Sequence, residues 1–97
     1  MAEQHSPGTQ KMFYHAHNCR AGLDVTVEIC RSTNETSTEI LELMESVRFP
    51  GVYFFRYLFE EGVYLAAFFE NNIRTVSQVY RINRPEGMKF RGPNVVG

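Results

Sequence analysis

Ninety-seven residues make one domain, long enough for a modest core and too short for a substrate domain beside a catalytic one. A hydrophobic content of 43% and an aromatic content of 13%, with eight Phe and five Tyr, exclude a disordered chain. The formal charge of −1 leaves no field of a single sign, which speaks against non-specific attraction to nucleic acid or anionic lipid.

The opening MAEQHSPGTQ is polar and holds Pro7-Gly8, so residues 1–10 are expected to be a flexible leader rather than a signal or transit peptide. A cytoplasmic or nuclear setting follows from that expectation, and with it free thiols at Cys19 and Cys30. The compact domain is expected over residues 11–82. Its first strand is read in residues 12–18, where Met12, Tyr14 and Ala16 share one face and Phe13, His15 and His17 the other. After a turn around Asn18 and Gly22, residues Leu23, Val25, Val27 and Ile29 alternate strictly with Asp24, Thr26 and Glu28, the pattern of a half-buried strand. Both strands are expected to form an antiparallel hairpin with their apolar sets inside.

The period changes in STNETSTEILELMESVRFP, where Ile40, Leu43, Met44 and Val47 fall at i, i+3, i+4 and i+7 of a helix. Thr36-Ser37-Thr38-Glu39 fits a capping box at its start, and Pro50-Gly51 stops it. Next come VYFFRYLF and VYLAAFFE about a turn at Glu60-Glu61-Gly62, read as a second hairpin, and IRTVSQVYRI, read as a last strand. From Asn83 the segment NRPEGMKFRGPNVVG has no period, so residues 83–97 are expected to be a C-terminal tail. Arg56, Glu60, Glu61 and Gly62 interrupt the most apolar stretch, and no membrane anchor is expected.

The expected order is strand, strand, helix, strand, strand, strand, a ββαβββ chain. One helix covering one face of a mainly antiparallel sheet makes a two-layer α+β domain. That order resembles the β-grasp, or ubiquitin-like, arrangement over residues 11–82, and the resemblance is one of element order alone. It gives the terminal Gly97 an interest, since ubiquitin-like modifiers end in a flexible segment with a terminal glycine.

In FYHAHNC two histidines stand two residues apart. On a strand they share a face about 6.6 Å apart along the chain, and the simplest hairpin register sets His17 beside Asp24. His15 and His17 with Asp24, or with the Cys19 thiolate in its place, are thus a candidate metal set, weighed against solvent-facing histidines paired with carboxylates, which is the preferred reading. A thiol enzyme would need Cys19 or Cys30 held against an oriented imidazole, and no local signature for that stands in the sequence. Neither catalysis nor a cofactor is expected.

The stronger anomaly is the aromatic hairpin, apolar on both faces where a sheet with one wet face alternates. A single helix covers one face only. Either the tails cover the other, or a protein partner or second copy does, or bases stack on it. RFPGVYFF at residues 48–55 resembles the basic-glycine-aromatic run of RNA-recognition motifs, and Arg56, Arg74, Arg81 and Arg84 form a basic series. The preferred reading is a non-enzymatic protein-interaction module, an adaptor or a self-associating domain. Its expected binding residues are Tyr53, Phe55, Arg56, Tyr57, Phe59, Tyr64, Phe68 and Arg74; nucleic-acid binding ranks second and a small metal or thiol enzyme third.

Overall fold

The computed structural model describes residues 3–84; the terminal glycine and most of the expected tail lie outside them. Strands take 62% of the described residues, and no helix of seven or more residues is present among them. The α+β, β-grasp expectation is therefore overturned: the described residues form an all-β fold of two sheets. In chain order the strands are β1 (Glu3–His5), β2 (Gly8–His15), β3 (Val25–Arg31), β4 (Glu39–Glu42), β5 (Met44–Glu45), β6 (Val52–Phe59), β7 (Gly62–Glu70) and β8 (Ile73–Ile82). A five-stranded sheet has the order β1-β8-β7-β3-β4 and a three-stranded sheet the order β2-β6-β5. Within the segment expected as a leader, residues 3–5 pair in parallel with Tyr80, Arg81 and Ile82, and β2 starts at Gly8.

The expected helix is replaced by β4 and β5, and the reason is a competition of periods. Ile40, Leu43 and Met44 fit a helix, but EILELME also alternates: Leu41 and Leu43 pack against the core while Ile40 and Met44 are exposed. β3 and β6 each have an edge to satisfy, and a short segment with a period of two satisfies both. β4 pairs with β3, Leu43 N–H donates to the Val25 carbonyl at 2.9 Å, and β5 pairs with β6. One bent ribbon thus passes from one sheet to the other. Thr36 caps nothing; its hydroxyl donates to Asn34 Oδ1 within the preceding loop.

The two expected hairpins also dissolve. β2 pairs with β6, not β3, and β6 and β7 lie in different sheets, so the chain at Glu60-Glu61 arches across the core instead of turning back in plane. Met12, Tyr14, Tyr53, Phe55 and Phe59 of the small sheet face Val25, Val27, Ile29, Tyr64, Ala66, Phe68, Tyr80 and Ile82 of the large one, all buried. Aromatic rings fill the gap between the sheets: Tyr14 stacks on Phe68 with centroids 4.7 Å apart, and Phe59 meets Tyr64 edge-on at 5.0 Å. The buried tyrosines reach polar partners at the rim, Tyr53 donating to the Arg20 carbonyl and accepting from Leu23 N–H, both at 3.0 Å. No helix among the described residues is long and apolar enough to cross a membrane.

Candidate partner-binding face

Since β2 and β6 send Met12, Tyr14, Tyr53 and Phe55 inward, their intervening residues stand on the outer face of the small sheet. Register sets Lys11 opposite Arg56, Phe13 opposite Phe54, Thr9 opposite Leu58, and Met44 of β5 on the other side of Phe54. Phe13 is 61% exposed, Met44 66% and Leu58 68%. The rings of Phe13 and Phe54 are tilted, with centroids 6.4 Å apart. Lys11 Nζ lies 4.3 Å from the Phe54 centroid and 5.6 Å from that of Phe13, and the Arg56 guanidinium 5.8 Å from Phe54, so the two cations form one row along the same side of the aromatic pair. Neither cation has a carboxylate at ion-pair distance among the described residues. The loop from β5 to β6 adds exposed Val47 and Phe49, with Arg48 beside the Phe49 ring.

The residues expected to bind a partner fall in three places. Tyr53, Phe55, Phe59, Tyr64 and Phe68 are core residues. Tyr57 is half-buried against that core, and its hydroxyl donates to Glu39; burial first, then this carboxylate, pushes its pKa far up. Arg56 stands on the outer face just described, whereas Arg74 is exposed on β8 of the other sheet, donating to Ser77 Oγ at 2.7 Å, so the two are not brought together. Sequence reasoning missed Lys11, Phe13, Met44, Phe54 and Leu58. Their signal was present in the same alternation, as the complement of the inward set.

The candidate metal residues separate as well. His15 ends β2 on its outer face, His17 opens a short 3-10 turn (His17–Cys19), and Asp24 precedes β3 with its backbone N–H donating to Asn71 Oδ1 at 2.9 Å. Among the described residues no group of three His, Cys, Asp or Glu is placed to hold a metal ion. Left-handed φ at Asn18 and Cys19 curls the turn so that Cys19 Sγ lies 3.1 Å from His15 Nε2, both exposed. Gly51 is needed beneath this turn, since a Cβ there would sit 2.6 Å from the Cys19 carbonyl oxygen. The Cys30 thiol is pushed up by burial and by Glu35, away from thiolate character.

One buried carboxylate stands at the end of β7. Glu70 is 7% exposed; Glu70 Oε2 accepts from the Tyr14 hydroxyl at 2.6 Å and from His17 N–H at 3.0 Å, and Thr75 Oγ1 lies 2.5 Å from the same hydroxyl. Burial alone would raise the pKa of Glu70, but these two donors, with Arg20 and His17 nearby, outweigh it and hold the group below its ordinary value. Tyr14 moves the other way, raised by burial and by Glu70. Comparison with protein-family models, with the curated proteins and with the solved structures finds no match.

Proposed function

We propose that the chain is a non-enzymatic protein-interaction module whose binding surface is the outer face of β2, β6 and β5. The observation that carries this reading is the Phe13–Phe54 pair held under Lys11 and Arg56, two cations without an ion-pair partner among the described residues. Exposed aromatic and apolar side chains with an arginine among them match the composition of binding hot spots, and the cations select a partner that sets carboxylates beside apolar groups. Phe13→Ser and Arg56→Glu leave the core untouched. Each is expected to weaken a captured partner about 30-fold, the size of a 2 kcal/mol hot spot, with an unchanged circular dichroism spectrum. Proteins captured equally by wild type and both variants would refute this surface.

Single-stranded nucleic acid is the second reading, favoured by the same rings with two cations beside them. It predicts binding to a fluorescent oligouridine that falls steeply with added salt. A protein partner held by buried apolar area is much less sensitive to salt.

A further inference from the structure

The far margin of the large sheet is built differently from its other margins. β7 pairs with β8 from Ile73 to Ile82, but on the opposite side of β8 only Tyr80, Arg81 and Ile82 meet a strand, β1. Over residues 73–79 the backbone groups pointing away from β7 thus have no strand partner among the described residues. Edges of this kind are normally blunted with Lys, Pro or inward-pointing charge. β4, the opposite margin, carries exposed Glu39 and Glu42. The stretch Ile73-Arg74-Thr75-Val76-Ser77-Gln78-Val79 has one charge and no proline, and Ile73, Val76 and Val79 are 68%, 39% and 36% exposed.

The edge is also held in place. Asn71 and Asn72 both have positive φ, the conformation of a tight two-residue hairpin turn, and fix the start of β8. The register shifts between Phe68 and Phe69 opposite Thr75, but that irregularity is anchored inward, the Thr75 hydroxyl donating to the Phe68 carbonyl at 3.3 Å and meeting Tyr14. An ordered edge loses little entropy on pairing.

We propose that residues 73–79 pair antiparallel with the same residues of a second copy, joining two five-stranded sheets into one across a two-fold axis. The turn at Asn72 bounds the free edge at one end and β1 at the other, so only a two-fold at Val76 pairs the whole of it. In that register Ile73 faces Val79 of the second copy, Arg74 faces Gln78, Thr75 faces Ser77 and Val76 faces itself, with no like charges opposed. Sliding toward the C-terminus pushes Arg74 toward Arg81 and into the place of β1. This surface is separate from the outer face of β2, β6 and β5, and its test is independent of that reading. A contact of this length is small, and an equilibrium near or above about 10 µM is expected.

Sedimentation velocity from about 1 to 500 µM tests it. Wild type is expected to pass from one chain to two, and Val76→Lys, which sets two cations at the axis, to weaken the dimer at least tenfold. Val76→Asp alone is expected to be monomeric as well, whereas an equimolar mixture of the Lys and Asp variants regains the dimer, an outcome specific to a two-fold at that residue. Should either variant fail to fold, amide exchange on wild type replaces it, with protection in residues 73–79 expected to rise with concentration. A wild-type mass of one chain throughout, or a dimer that survives Val76→Lys, would overturn the proposal; in the second case, loss of the dimer in Phe13→Ser would place the contact on the small sheet.

Discussion

The two sides of the sandwich solve the same problem in opposite ways. On one side the ribbon β4–β5 bends at Leu43 and belongs to both sheets, so β3 and β6 are each given a neighbour by a single piece of chain. On the other, β1 reaches only the last residues of β8, and β2 runs back in the small sheet without pairing to it. Side chains rather than a ladder join that side, through Tyr14, Glu70 and Thr75. The first margin ends on β4, whose exposed Glu39 and Glu42 discourage another strand, whereas the one joined by side chains leaves the backbone groups of the apolar stretch 73–79 open to a partner.

The largest expected effect comes from breaking the closed side. Leu43→Pro removes the N–H that bonds Val25 and disturbs a residue packed on the core, and should cost about 3 kcal/mol or more. A urea titration would register this as a lowered midpoint. Val76→Lys, on the open side, should change the stability of the monomer by no more than about 0.5 kcal/mol. Equal losses from the two substitutions would show that the sides are not built as described.

That contrast also explains what the sequence could and could not tell. Alternation correctly placed Met12, Tyr14, Ala16, Val25, Val27 and Ile29 inside, and all are buried. It names a face, however, and not a neighbour: these sets meet across the core from opposite sheets, where a hairpin was expected. The same ambiguity hid the candidate binding face. With β6 and β7 taken as one hairpin, the alternating aromatics looked like surplus. Placed in two facing sheets, Tyr53, Phe55, Tyr64 and Phe68 are the core and Phe13 and Phe54 the remainder. Nor can periodicity decide EILELME, since a helix and a bent strand both fit it and the unpaired edges of β3 and β6 cast the deciding weight.

A smaller effect distinguishes the loops clipped on each side. Glu45, at the end of β5, accepts from Gly22 N–H and from Gly51 N–H, both at 3.0 Å. Glu45→Ala strands two backbone donors and is expected to cost about 1 to 2 kcal/mol, the low end of such losses because water reaches Gly22. Amide exchange at Gly22 and Gly51 should accelerate while that of β8 stays unchanged.

Glu70 is the counterpart on the open side, and its effect depends on pH. Its carboxyl is held below the ordinary value of 4.5 in the folded state, so the folded protein binds fewer protons there than the unfolded chain does. The stability it contributes is complete above about pH 4.5 and is lost as pH falls through the folded-state value. Tyr14, its pKa raised above 10.0, stays protonated throughout that window and remains a donor. Glu70→Gln keeps the shape and removes the charge. At neutral pH it should cost about 1 kcal/mol, and the gap from wild type should close as the pH is lowered. Curves that stay parallel from pH 7 to pH 3 would mean that the carboxylate is not what ties β2 to the end of β7, and that the stacking of Tyr14 on Phe68 and its contact with Thr75 hold the open side.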